Sequence, residues 1–393
     1  MKMATPDFET PKLANVLKGY TSLIAGHVAG VAQGGIAYLE LARPHRHNSF
    51  HEELWIEFPK ALQELDAHAD TRVIIIAGQG KSFCAGIDVG YLKRNFAAMA
   101  PATGVPGRTP SAATAAAVTG AAATTAPSAA AATAATAALP GACPGAQRAI
   151  IRRNILALQD AYSELERCRS PVVAAVHGRC IGGGVDLITA CDLRICSEDA
   201  TFCVKEVDLA IAADVGTLQR LPHIVGHGVA MDLALTARTV GAAEAHRIGL
   251  VSSVVPTVNG ASTGSTTHGT SSSGRGAVVA AAVQLAATIA SKPQLAVQGT
   301  KRVLLHSRDH PLVAGGLDYV ATWNSAQLIS NDLITMLGGG GGARGGPGAG
   351  SGAVGGTGRV PANASGVDGD GSGDGDGGSN TATVRVCHPR PRL

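Results

Sequence analysis

The chain has 393 residues and a formal net charge of +3 without a long basic block, which removes the electrostatic basis for nucleic-acid binding. Its hydrophobic share of 45% is inflated by Ala, because aromatics make up only 3% and Gly reaches 51 residues; that bias points to a folded core interrupted by low-complexity sequence. The opening MKMATPDFETPK has no apolar signal core, and the uncharged stretch between Arg108 and Arg148 is Ala and Thr rather than Leu, Ile and Phe, so neither export nor a membrane span is expected.

Residues 1–19 read as an N-terminal tail, and 20–336 as one domain carrying two inserts. Gly35–Leu41 has the composition of a strand, and Phe50–Asp66 has helical spacing. Val73–Ala77 (VIIIA) is a continuous apolar run, suited to a strand buried on both faces. A turn, Ser82–Asp88, follows it. The Ala/Thr-rich segment of about 100–146 is the first insert. Ile151, Ile155, Leu158, Tyr162 and Leu165 recur every three or four residues, which predicts an amphipathic helix over 148–167. Ser170-Pro171 ends it, and Val172–Val176 is a second buried strand. Gly182-Gly183-Gly184 opens a helix through about Ala190, and Asp192–Cys196 and Thr201–Val204 are short strands. The second insert is about 257–277, helices follow at 278–290 and 293–306, and a Gly-rich tail runs over 337–393. Neither insert nor tail can bury enough apolar surface to offset chain entropy. Strand and helix alternate through the remainder, which makes the fold class α/β.

Several motifs are set aside. The eight cysteines form no C-x-x-C and read as free thiols in a reducing compartment. The thirteen histidines lack an H-E-x-x-H arrangement, so no metal site is expected. Asp368–Asp376 lacks the acidic twelfth ligand of a calcium loop, the sequon at Asn363 has no secretory context, and the polyglycine run lacks G-K-[ST].

The chemistry concentrates in Pro171–Leu221. A Gly-rich helix start leaves N–H groups free and directs the helix dipole at an anionic oxygen. The Ser82–Asp88 turn also follows a buried strand, at the end where ligand sites of α/β folds cluster. Together the two loops can offer two backbone N–H donors to one oxygen. Tight strand–helix packing and an ordinary βα turn are the structural alternatives. Within this stretch Asp186 can cap its helix, Glu206 can belong with Asp208 to a charged surface, and Asp214 can be a turn residue.

FCAGID, HGRCIGGGVDL about 95 residues later, the RPHRHNS segment at 43–49 and TLQRL at 217–221 resemble the crotonase, or enoyl-CoA hydratase/isomerase, superfamily. The resemblance implies the crotonase fold, a spiral of ββα repeats with C-terminal helices, and an acyl-CoA substrate. It implies an oxyanion hole from the N–H groups of Ile87 and Gly183, with Ala85, Gly86, Ile87, Asp88, Val89 and Gly183 against the substrate. It also implies a homo-trimer or hexamer and no cofactor beyond the coenzyme A of the substrate. Hydratases of the superfamily carry Glu where Asp186 stands, a second Glu as at Glu206, and a Gly-rich stretch where Ala212–Gly216 brings in Asp214. The trio Asp186, Glu206 and Asp214 is similar to that of the Δ3,5-Δ2,4-dienoyl-CoA isomerases, which move a proton from C2 to C6 in β-oxidation of unsaturated fatty acids. An enoyl-CoA hydratase, a Δ3-Δ2-enoyl-CoA isomerase and a non-catalytic binding protein are the alternatives on this scaffold. The final Pro391-Arg392-Leu393 resembles a peroxisomal signal of the S-K-L type, with Pro departing from the strict form; it implies an import receptor and a peroxisomal location, with mitochondrion or cytoplasm as alternatives.

Overall fold

Long apolar strands and short three-residue strands alternate along this chain, and the alternation makes two sheets. The computed structural model describes residues 10–31, 34–99, 143–257 and 274–338, all within the unit Met1–Gly339. The larger sheet places seven strands side by side: β1 (Leu13–Ala14), β2 (Leu23–Val28), β3 (Ile36–Leu41), β4 (Val73–Gly78), β6 (Val172–Val176), β8 (Leu193–Ser197) and β11 (Ser253–Val255). The smaller sheet runs β10 (Val240–Gly241), β9 (Thr201–Cys203), β7 (Arg179–Ile181), β5 (Ser82–Cys84). β4, β6 and β8 are parallel neighbours in the large sheet, and β5, β7 and β9 are parallel neighbours in the small one. Each of β4, β6 and β8 is thus followed at once by a short strand of the other sheet, which is the ββ part of a repeating unit.

The helices complete the repeats: α1 (Glu52–Ala67), α2 (Val89–Met99), α3 (Pro144–Arg167), α4 (Gly183–Ala190), α5 (Thr217–Val225), α6 (His227–Thr236) and α7 (Ala242–Arg247). Then come the C-terminal α8 (Gly274–Ala290), α9 (Gln294–Asp309), α10 (Val313–Gln327) and α11 (Asn331–Gly338). β4 is buried along its whole length, as its unbroken apolar run requires. Its Ile74 and Ile76 face the main core with Leu39, Val172, Ala174 and Val176. Val73 and Ile75 point the other way, against Val278, Ala282 and Ala286 of α8. The small Ala residues let that helix lie close on the sheet, and each fully buried Val or Ile stabilises by about 1.5–3 kcal/mol. No single helix among the described residues is long and apolar enough to cross a membrane.

The structure departs from the sequence reading at three places. Leu13–Ala14, in the expected tail, pairs antiparallel with β2. α8 begins at Gly274 and not after 277, because Arg275 is buried there; it donates to Gly78 O at 2.8 Å and pairs with the buried Glu40. α3 begins at Pro144, before the expected 148. Most of the 100–146 and 257–277 inserts lies outside the described residues. So do nearly all of the 337–393 tail, the Asn363 sequon, the 368–376 loop, Cys387 and the C-terminal tripeptide. The seven described cysteines are free thiols.

Candidate active site

Three adjacent strands of the small sheet, β5, β7 and β9, end at one edge, since their pairing is parallel with Cys84 opposite Cys180 and Ile181 opposite Cys203. The loop after β5 carries Ala85, Gly86, Ile87 and Asp88 into α2. There Phe50 N donates to Gly86 O and Asp88 N donates to Phe50 O, both at 2.8 Å, so Ile87 forms a parallel bridge with Phe50. In such a bridge the two flanking residues make the bonds, and the N–H of Ile87 is directed to the opposite side. After β7, Gly183 is the first residue of α4, and a first-turn N–H has no acceptor inside its own helix.

The two loops touch. Gly86 has φ +85°, and a Cβ on it would stand 2.8 Å from Ile181 O and 3.0 Å from Gly183 N; only glycine tolerates both the dihedral and the approach. A Cβ on Gly183 would meet Gly86 Cα at 3.4 Å. Two N–H groups that have no acceptor among the described residues, of Ile87 and Gly183, are therefore held side by side at a helix start. The sequence reading placed these loops at the ends of the long strands; they stand instead at the ends of the short ones that intervene.

The three carboxylates gather at the same edge. Asp186, in the first turn of α4, is 1% exposed, and its Oδ1 accepts from Thr217 N at 2.6 Å. Burial pushes its carboxyl up to about 6, with Thr217 working against the rise and the charge of Asp214 adding to it. Glu206 follows β9, is 8% exposed, and has Oε2 buried with no hydrogen-bond partner among the described residues. Its Oε1 lies 3.1 Å from the Cβ position of Gly182, beside the loop of Gly183. Burial, then the charge of Asp186, and to a lesser degree Asp214, push Glu206 up to about 7. Asp214 is half-buried, and burial raises its carboxyl too, with a backbone hydrogen bond opposing. Gln159 of α3 donates to the Asp214 carbonyl at 2.7 Å and fixes this loop. Near neutral pH, mutual repulsion in such a cluster favours states with some carboxyls ionised and others protonated.

The remaining residues of the first loop have other duties. Ala85 N donates to His47 O at 2.8 Å. The carboxylate of Asp88 caps α2, accepting from Gly90 N at 2.8 Å and Tyr91 N at 3.2 Å, and pairs with Arg43 at 3.4 Å. Burial opposes it, yet those N–H groups and Arg43 hold the Asp88 carboxyl below its usual range. That side chain is therefore engaged within the protein. Val89, the first residue of α2, is 56% exposed. Asn48 explains the RPHRHNS segment: it accepts from Arg43 N and donates to the carbonyls of Gln79, Ser82 and Phe83, fastening the turn into β5. Tyr162 was legible only as one apolar position of a helix, but its hydroxyl ends 3.3 Å from the Cβ position of Gly183. No cluster of three or more His, Cys, Asp or Glu among the described residues has the arrangement of a metal site.

The sequence matches the family model described as enoyl-CoA hydratase/isomerase over residues 31–105 and 129–265. It is 44% identical over 298 residues to the Arabidopsis thaliana peroxisomal Δ(3,5)-Δ(2,4)-dienoyl-CoA isomerase, covering 76% of this chain and 87% of that one. Identity to the Homo sapiens mitochondrial Δ(3,5)-Δ(2,4)-dienoyl-CoA isomerase is 38% over 305 residues, 77% of this chain and 75% of that one. Among solved structures, the enoyl-CoA hydratase of Bacillus anthracis aligns with a TM-score of 0.57 at 23% identity, covering 83% of this chain and 95% of that one; at that identity the likeness concerns the fold.

Proposed function

The chain belongs to the enoyl-CoA hydratase/isomerase family with its spiral of ββα repeats and C-terminal helices, and we propose that it isomerises 3,5-dienoyl-CoA to 2,4-dienoyl-CoA in the oxidation of unsaturated fatty acids. The observation that carries this is Asp214, a third raised carboxyl placed with Glu206 and Asp186 beside two unengaged N–H groups.

The thioester oxygen accepts hydrogen bonds from Ile87 N–H and Gly183 N–H. One of Glu206 and Asp214, ionised, takes a proton from C2; the electron pair spreads over the dienolate and onto the oxygen. The other, protonated, returns a proton at C6, and the double bonds shift into conjugation with the carbonyl. Two carboxyls are needed because C2 and C6 lie too far apart for one short side chain to serve easily. Asp186 is a supporting polar group whose charge keeps Glu206 high. One oxyanion donor of this kind is commonly worth about 3–4 kcal/mol in the transition state. The shuttle moves protons only and uses coenzyme A only as part of the substrate.

Leu312, Val313, Leu317, Leu328, Ile334 and Leu337 of the C-terminal helical region stand exposed. Exposed apolar side chains in that number fit burial against other copies of the chain, as in a trimer or a pair of trimers. The named relatives are peroxisomal and mitochondrial; the peroxisome is the location proposed here, with an import receptor as partner, following the 44% identical relative. The test of activity is an absorbance assay with 3,5-dienoyl-CoA and 2-enoyl-CoA side by side, because the conjugated 2,4-diene absorbs further to the red. Rapid growth of that band supports the proposal. Hydration of the enoyl ester without diene turnover assigns a hydratase, and inactivity on both leaves a binding protein.

A further inference from the structure

Tyr162 lies on the inward face of α3, with its ring among Phe50, Trp55 and Phe58 at centroid distances of 5.2, 5.0 and 6.2 Å. The side chain is fully buried, and its hydroxyl has no hydrogen-bond partner among the described residues. In such an aromatic niche phenylalanine would pack equally well and strand no polar group. The hydroxyl is instead carried to 3.3 Å from the Cβ position of Gly183, whose own Cα neighbourhood abuts Gly86. It thus arrives beside the junction of the two loops that hold the Ile87 and Gly183 N–H groups. An acceptor atom of a ligand seated at that junction accounts for a donor there.

We propose that the Tyr162 hydroxyl is a third donor to the thioester oxygen, joining the N–H groups of Ile87 and Gly183 and tightening as the enolate forms. This inference rests on the acyl-CoA isomerase reading of the site. A carbonyl oxygen has two lone pairs, matched by two N–H groups; the enolate oxygen has a third and a full negative charge. The added hydrogen bond is therefore realised mainly in the transition state, where it raises turnover more than binding. Burial, then the nearby Cys84, Asp186, Cys180 and Glu206, hold the phenol well above its usual range, so it remains protonated. Tyr162 keeps its proton throughout and takes no part in the C2-to-C6 transfer.

The test is Tyr162→Phe in the full chain, which keeps the ring and removes only the hydroxyl. Four measurements are made: turnover of 3,5-dienoyl-CoA, affinity for a saturated acyl-CoA, thermal unfolding, and the absorbance band of bound 2,4-dienoyl-CoA. We expect kcat to fall about 10–100-fold, with saturated acyl-CoA affinity nearly unchanged and the unfolding temperature equal or higher. The band of the bound product should shift less to the red than in the wild-type protein, because its carbonyl is less polarised. Wild-type kcat in the variant overturns the proposal. So does a loss of kcat accompanied by lower unfolding temperature and an unchanged product band. If the wild-type protein itself does not turn over the diene, the activity reading fails, and the band of bound 2,4-dienoyl-CoA alone decides the Tyr162 donor.

Discussion

Asp214→Asn is the substitution that separates a diene isomerase from simpler members of the family. Asparagine fits the same space, and the loop is held from outside by the Gln159 bond to the Asp214 carbonyl and by Thr217, whose N–H donates to Asp186. Position is therefore kept while the exchangeable proton is lost. A positioned acid or base contributes about 10²–10⁴ in rate, or roughly 3–5 kcal/mol of barrier, so turnover of 3,5-dienoyl-CoA should fall at least about a hundredfold. A second consequence follows from charge. Ionised Asp214 raises both Glu206 and Asp186, and without it any inflection from Glu206 in the residual pH profile should move below about 7. Steady-state absorbance kinetics over pH 5–9 read both effects, and calorimetry with a saturated acyl-CoA reads binding, which should change little. Near-normal turnover in the variant would refute the shuttle and favour a hydratase or Δ3-Δ2 isomerase built on Glu206. An inflection that rises would refute the charge argument.

Glu206→Gln should be as damaging as Asp214→Asn, whereas Asp186→Asn should cost less, because its carboxamide oxygen still accepts from Thr217 N; kcat for the two variants checks the order. Stability should depend on the same groups. The folded state holds Glu206 at about 7 and Asp186 at about 6, above their ordinary 4.5 and 3.8, so it binds more protons than the unfolded chain between those values. Their contribution is complete at low pH and is lost as pH rises through 6–7; from pH 5 to pH 8 it amounts to on the order of 2–4 kcal/mol. Chemical unfolding of the Asp186→Asn/Glu206→Gln double variant should show that slope flattened, and an equally steep slope would contradict the assignment. Arg275→Met leaves Glu40 buried without its cation and should destabilise by about 3–5 kcal/mol in the same assay. Deleting 105–140 should leave diene turnover largely intact, because that sequence has no core-forming pattern.

Legibility followed from what each residue does to the local pattern. The buried strands β4 and β6 were plain because unbroken apolar runs admit few other fates. β5 and β7, SFC and RCI, are three residues each, too short for any period, so the second sheet was hidden although it aligns the two loops. Arg275 sits between two glycines at the edge of a low-complexity stretch, where nothing local announces that its partner is Glu40, 235 residues away in the chain. Tyr162 fits a helical stripe as an apolar residue; only the fold shows where its hydroxyl ends. For the carboxylates, the resemblance to the family's motifs named the three candidates, but their titrations depend on burial that the motifs do not contain. Asp88 entered through the family resemblance as a substrate contact, and only the fold shows that its carboxylate also serves the start of α2.

The division of labour at the small sheet accounts for how one scaffold supports several reactions. Ile87, Gly183 and Glu206 follow three neighbouring parallel strands. In the proposed mechanism the first two contribute backbone N–H groups, so that part of the oxyanion hole depends on the path of the chain and on glycines at its contacts, and the Tyr162 hydroxyl is the side-chain addition to it. The proposed acid–base groups are side chains: Asp186 on α4, one turn past Gly183, Glu206 after β9 and Asp214 before α5. On that proposal, replacing them should change which carbon gains or loses a proton and leave the enolate site in place. A fold shared with a hydratase at 23% identity is then compatible with different chemistry, and in the proposed mechanism residues 186, 206 and 214 decide it. Asp214 carries the most weight of the three. It is half-buried and held by its backbone, so a carboxylate can be gained or lost there without disturbing the core that Asp186 is packed into.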